Sequence, residues 1–170
     1  IGLTSVTIPD SVTDIEGEAF AQCMSLTSIV IPDSVKSIGI GAFHYCTNLT
    51  SVIVGNGVTE IGKLAFWQCT ALTDVTLGSS VTAIGEQAFN GCEKLTGIVI
   101  PDSVTSIGEY AFVGCGSLAK VTIGTGVTDI GREAFSGCTK LAEINYNAKA
   151  AADLRVTVDE GLTVHYADVF

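Results

Sequence analysis

Six cysteines stand at positions 23, 46, 69, 92, 115 and 138, so one residue type returns every 23 residues without a break. A strict period of that length restricts the chain to repeat architectures, because each unit is too short to enclose a core and must bury its apolar side chains against its neighbours. Complete units open at Leu3, Leu26, Leu49, Leu72, Leu95 and Leu118, and a seventh opens at Leu141 and then diverges. With each opening leucine as position 1, eight positions are apolar in all six units: Leu at 1, Val or Ile at 4, Ile, Val or Leu at 6, Val at 10, Ile at 13, Ala at 17, Phe at 18 and Cys at 21. These positions predict the core.

Positions 4 and 6 alternate with variable residues at 3 and 5, the period-2 pattern of a strand with one buried face. Pro or Gly at position 7 (Pro9, Pro32, Gly55, Gly78, Pro101, Gly124) ends that strand in a turn. Val at 10 and Ile at 13 predict a second, shorter extended segment. Gly holds position 14 in five units (Gly39, Gly62, Gly85, Gly108, Gly131). The x-x-Ala-Phe-x-x-Cys stretch after it spaces its apolar residues as two helical turns would, which predicts a short α or 3₁₀ helix. The first unit has Glu16 at position 14 and Gly17 after it, which predicts a turn shifted by one residue. Residues 1–146 are therefore expected to stack as β rungs with short helices on the other face. Residues 147–170 are expected to form a C-terminal cap, with a helix over 147–155, a strand at 156–158 and a closing strand at 162–166.

Eighteen Asp plus Glu against eight Lys plus Arg give a formal net charge of −10, and the basic residues are scattered. Nucleic acid is not expected as a partner, because phosphate neutralisation needs a basic stripe. No apolar run approaches the roughly 18 residues of a membrane-spanning helix, so membrane insertion is not expected either. The chain starts at Ile1 with neither an initiator Met nor a signal segment, as a piece of something longer would. Nothing resembling a cap precedes Leu3, which predicts either further repeats before it or end-to-end self-association at the first rung.

The cysteines raise the question of chemistry. Each takes the same core-facing position, so neighbouring thiols lie one rung apart with parallel Cα–Cβ vectors, whereas a disulfide needs Cβ atoms converging to about 3.8 Å. The expected arrangement is a structural ladder of buried free thiols: Cys23, Cys46, Cys69, Cys92, Cys115 and Cys138. There is no C-x-x-C pair and there are only two histidines, so no metal site is expected. Ser117-Leu118-Ala119-Lys120 fits S-x-x-K but places its lysine on a strand. Gly55-Asn56-Gly57 and Gly124-Thr125-Gly126 lack the third glycine and the following helix of a phosphate loop. His44 and His165 lie far apart in the repeat order, so no His-based catalytic set is expected. The reading is a non-enzymatic chain without a cofactor.

Removing core and turn positions leaves two variable faces where specificity can be written. On the strand face, Val30 and Ile53 fall on adjacent rungs beside Asp74, and Thr4, Thr27, Thr50, Thr73 and Thr96 line position 2. On the opposite face His44, Tyr45 and Trp67 cluster on neighbouring rungs, and Trp and Tyr are favoured interface anchors and sugar-stacking groups. Each set also has a plainer account. Val, Ile and Thr suit any exposed strand, and Trp67 can fold back over the core edge.

The unit L-x-x-V/I-x-I-P-x-S-V-x-x-I-G-x-x-A-F-x-x-C resembles the BspA-like leucine-rich repeats over residues 3–146, and 144–148 with 163–166 resemble the segment that closes many such arrays. The resemblance implies a leucine-rich-repeat solenoid. It further implies an extracellular, bacterial or protozoal cell-surface protein with a role in adhesion, binding host or neighbouring-cell surface and matrix proteins, or glycans. A structural spacer within a larger surface protein is the alternative it leaves open.

Overall fold

In the computed structural model, which describes residues 2–146 and the strand at 163–166, the repeat units stack as rungs of a parallel β-solenoid. Positions 3 to 6 supply a long strand, at Ser28–Ile31 (β2), Ser51–Val54 (β4), Asp74–Thr76 (β6), Gly97–Ile100 (β8), Lys120–Ile123 (β10) and Glu143–Tyr146 (β12). Positions 12 and 13 supply a short one, at Asp14–Ile15 (β1), Ser37–Ile38 (β3), Glu60–Ile61 (β5), Ala83–Ile84 (β7), Ser106–Ile107 (β9) and Asp129–Ile130 (β11). Strands pair in parallel at a 23-residue offset, so Val30 lies opposite Ile53 and Ser37 opposite Glu60. The short strands make one sheet in the order β1-β3-β5-β7-β9-β11. The long strands make two, β2-β4-β6 and β8-β10-β12, the second extended by Thr163–Tyr166 (β13) beside β12. The helix and strand expected over 147–158 lie outside the described residues.

The inward side chains are the repeated apolar set, and among the described residues no polar or charged side chain is buried. The phenylalanines form a column. From Phe20 to Phe135 successive rings lie 5.1 to 5.3 Å apart with planes within 9° of parallel. That spacing follows the ~4.8 Å between paired strands, so the rung repeat sets the ring geometry. In the seventh unit Tyr146 takes position 6, and its hydroxyl donates to the Val127 carbonyl at 2.8 Å, satisfying the one polar atom it carries inward.

The expected short helices are not there: across the described residues, positions 15 to 20 are a run of turns. Positions 16 and 20 take left-handed backbone in every rung, for example Glu18 (φ 60°) with Gln22 (φ 57°) and Leu64 (φ 59°) with Gln68 (φ 58°). This alternation points every second N–H sideways. Phe20 and Gln22 donate to Ala42 and His44 carbonyls on the next rung, both at 2.8 Å, while the N–H groups of Ala21 and Cys23 close four-residue turns within their own rung. An α-helix about 10 Å across cannot recur every ~4.8 Å unless the stack fans open, and its N–H groups all bond along its own axis. The turn run instead keeps the rungs in lateral hydrogen bonding. The apolar spacing that suggested a helix is satisfied by this tighter path. The first unit keeps the common register, since Glu18 N–H bonds Ile40 O just as Gly41 N–H bonds Lys63 O, and its turn is not shifted.

Close stacking also explains the glycine at position 14. A Cβ on Gly85 would lie 2.6 Å from the Lys63 nitrogen, and one on Gly108 would lie 2.5 Å from the Glu86 nitrogen, both on the preceding rung. Exposed polar residues tie the rungs together at the turns. Asp33 accepts the Asn56 N–H at 2.6 Å, Asn56 accepts the Ser79 N–H at 3.0 Å, and Asp102 accepts the Thr125 N–H at 2.8 Å. Thr82 and Thr105 hydroxyls donate to the Thr59 and Thr82 carbonyls of the preceding rungs at 2.9 and 3.1 Å.

Candidate functional site

Cys23, Cys46, Cys69, Cys92, Cys115 and Cys138 are all free and buried. From the second rung on, each thiol donates to the carbonyl of the preceding rung's phenylalanine: Cys46 to Phe20 at 3.1 Å, Cys69 to Phe43 at 3.2 Å, Cys92 to Phe66 at 3.4 Å, Cys115 to Phe89 at 3.3 Å and Cys138 to Phe112 at 3.2 Å. That carbonyl already accepts a turn bond, as Phe20 O does from Cys23 N–H, so the thiol fills its second lone pair. Burial pushes the Cys46 thiol up to about 11 and raises Cys69 and Cys92 as well; at Cys115 the neighbouring Cys138 thiol acts first and burial second.

A thiol reacts as its thiolate, so these groups are inert in the folded chain at neutral pH. A thiol-specific chromogenic reagent at pH 7.5 is expected to leave Cys46, Cys69, Cys92 and Cys115 unmodified until denaturant is added. Their folded pKa values lie above the unfolded value near 8.5, so the stability they contribute is complete below about pH 8.5. It is lost as pH rises from there through the folded values, the Cys46 contribution being gone above about 11. Thermal melts should therefore fall progressively above about pH 9; reaction of the native protein without unfolding, or a flat pH profile, would contradict this.

On the turn face the rings of His44, Tyr45 and Trp67 meet. Tyr45 lies 5.8 Å from His44 and 4.8 Å from Trp67, edge-on to both at 73° and 64°. His44 Nδ1 is 2.9 Å from the Gly41 carbonyl of its own turn. His44 and Trp67 are half-buried and Tyr45 is exposed. The three rings thus pack against one another and offer no pair of coplanar faces.

On the strand face Val30 and Ile53 lie opposite each other in β2 and β4, 59% and 48% exposed. Asp74 is exposed on β6 opposite Ser51, with its carboxylate accepting the Thr73 hydroxyl at 2.6 Å. Val99 on β8, which sequence reasoning did not single out, is the most exposed of the three apolar residues at 64%. Beside it, where the ladder stops between β6 and β8, runs a groove of about 380 Å³ lined by Asp74, Thr76, Gly97, Val99, Lys120 and Thr122. The overlooked signal was Gly97, a glycine at position 3 where the other units carry Ser5, Ser28, Ser51, Asp74, Lys120 and Glu143.

At the first rung, where either further repeats or end-to-end pairing was expected, an apolar groove of about 350 Å³ opens between Val6, Val12, Ala19 and Phe20. Among the described residues no group of three or more His, Cys, Asp or Glu is placed to hold a metal ion, and no helix is long and apolar enough to cross a membrane.

The profile of the BspA-type leucine-rich repeat region matches in six copies, over residues 1–96 and 59–152. Among solved structures the chain is similar to a leucine-rich repeat protein from Bacteroides ovatus, at 27% identity and a TM-score of 0.76 over 94% of this chain and 47% of that one. It is also similar to the leucine-rich repeat protein of T. pallidum, at 35% identity and a TM-score of 0.68 over 69% of this chain and 57% of that one. A leucine-rich cell surface protein from Faecalibacterium prausnitzii matches at 35% identity and a TM-score of 0.59, over 81% of this chain and 44% of that one. The chain thus spans about half the length of these structures. No curated protein matches it.

Proposed function

The chain belongs to the BspA-type leucine-rich repeat family, whose members are repeat modules of the protein-interaction kind, and from that premise we propose that it is a non-enzymatic binding segment of a cell-surface adhesion protein that engages its protein partner through the strand face. The observation that carries the choice of face is the set of outward aliphatic residues on the long strands, with Val30 and Ile53 paired in register on β2 and β4 and Val99 on β8, exposed at 59%, 48% and 64%. A strand needs only one apolar face to fold, so solvent-facing aliphatics on its other face are surface available to a partner. The surface assignment is supported by the similar F. prausnitzii structure, described as a leucine-rich cell surface protein. The turn face has less in its favour, because its aromatic rings already pack edge-on against each other.

The test is binding of the purified chain to immobilised extracellular-matrix proteins and to a glycan array. A Val30→Thr/Ile53→Thr double variant, which keeps strand propensity, is expected to lose about tenfold or more in affinity for the matrix protein it recognises, while Trp67→Ala is unchanged. Loss with Trp67→Ala alone, on a glycan, would replace this reading with a turn-face lectin. Absence of binding in every arm would leave the chain as a spacer.

A further inference from the structure

The strand face carries one residue that its own backbone does not call for. Gly97 is outside the set of positive-φ residues, and a Cβ built on it would meet nothing nearer than the Lys120 carbonyl at 3.5 Å, an ordinary contact. Neither conformation nor close approach requires glycine there, although glycine weakens a strand. Three observations coincide at the same place. The long-strand ladder stops between β6 and β8. Val75 at position 4 is half-buried, whereas Ile29, Val52, Ile98 and Val121 at that position are buried. The groove of about 380 Å³ opens over Gly97. Beneath it the stack is intact, with Phe89 and Phe112 stacked at 5.3 Å and β7 paired to β9. The opening is therefore confined to the strand face.

The two walls differ in charge and in what balances it. Lys120 lies 3.2 Å from the Glu143 carboxylate, so its charge is already met. Asp74 faces the groove from the other side with the Thr73 hydroxyl on one oxygen and no ion pair among the described residues. The chain as a whole carries −10. We propose that this notch receives an arginine side chain from an extended segment of the partner protein, its guanidinium on the Asp74 carboxylate and its methylene stem across Gly97 against Val99 and Thr76. Arginine suits the place because its flat, weakly hydrated head pairs with a carboxylate through two N–H groups while its stem covers apolar surface. An anionic side chain would meet Asp74 and have to displace Glu143 from Lys120. The proposal rests on the strand-face reading above and names the partner chemistry at its centre.

The test is an amide chemical-shift titration of the ¹⁵N-labelled chain with the acetylated, amidated peptide Thr-Arg-Thr, and with Thr-Glu-Thr as its counterpart. The arginine peptide is expected to move the amide resonances of Gly97, Thr76 and Thr122, and the glutamate peptide is not. Asp74→Asn should weaken the response about fivefold, as for an exposed charge pair, and more salt should weaken it further. Gly97→Val should abolish it while leaving the melting temperature equal or higher, because its Cβ would have an ordinary contact at 3.5 Å and valine favours a strand more than glycine does. Equal responses to both peptides, no response to the arginine peptide, an undiminished response in Asp74→Asn, or one that survives Gly97→Val would each overturn the proposal. If the Val30→Thr/Ile53→Thr variant loses matrix binding while the arginine peptide leaves the notch unmoved, the notch fails and the strand-face reading stands.

Discussion

Replacing Phe66 by alanine should lower the unfolding free energy by about 3–5 kcal/mol, the range for deleting a fully enclosed aromatic side chain. Phe66 has no exposed surface and stacks on Phe43 at 5.3 Å and on Phe89 at 5.2 Å, so the deletion removes contacts on both ring faces and opens a void between rungs that backbone bonds hold at a fixed spacing. Collapse to fill it would require those rungs to tilt together. Phe20→Ala should cost less than half as much, because Phe20 is half-buried and stacks on Phe43 alone among the described rings. Urea melts followed by circular dichroism would compare the two. Equal losses, or a loss below about 1 kcal/mol at Phe66, would mean that the stack does not carry the interior in the way a nearest-neighbour repeat array must.

Gly85→Ala should be nearly as damaging, at about 2–3 kcal/mol or more, although it adds a single methyl group. The new Cβ would lie 2.6 Å from the Lys63 nitrogen and 2.8 Å from both the Gly62 carbonyl carbon and the Ile61 oxygen, all backbone atoms that cannot swing aside as a side chain can. Relief requires separating two rungs, which stretches the Gly85 N–H bond to Ile61 O, now 2.8 Å, and disturbs the β5–β7 pairing next to it. The matched control is Gly97→Ala, the same chemical change in the next rung, where the added Cβ has an ordinary contact at 3.5 Å. It should leave the melting temperature unchanged or raise it, since alanine restricts the unfolded chain more than glycine does. A thermal melt of both variants decides the matter; similar losses in the two would show that chain entropy and not the rung contact accounts for position 14.

Much of the interior was legible before any coordinates. Phe43, Ala42 and Cys46 are enclosed because every unit repeats an apolar residue at their positions, and the alternation at Ile29 and Ile31 dictates which face of β2 turns inward. The strand-face pair Val30 and Ile53 could be placed on adjacent rungs for the same reason, since a fixed period makes residues 23 apart neighbours. The turn-face rings could be placed near one another too, but not oriented: their edge-on packing depends on the left-handed backbone at Tyr45 and on where Trp67 settles beside it. The break at β6 and β8 left one trace in the pattern, Gly97 at a position that is Ser, Asp, Lys or Glu in the other units, and a glycine there does not by itself say that the hydrogen bonding lapses beside it.

What the sequence by itself determined is equivalence: a 23-residue period states which side chains share an environment, which of them are too apolar to face water, and that the units must stack. What only the tertiary structure decided is the partner of each backbone and thiol hydrogen. Phe20 N–H bonds to Ala42 O and Cys46 Sγ to Phe20 O, contacts across 22 and 26 residues, and these lateral bonds replace the helix that local spacing alone favours. The physical reason is the distance between rungs. At ~4.8 Å a neighbouring rung is as near as the chain's own next turn, and backbone groups that can bond sideways to it need not close a helix along the chain.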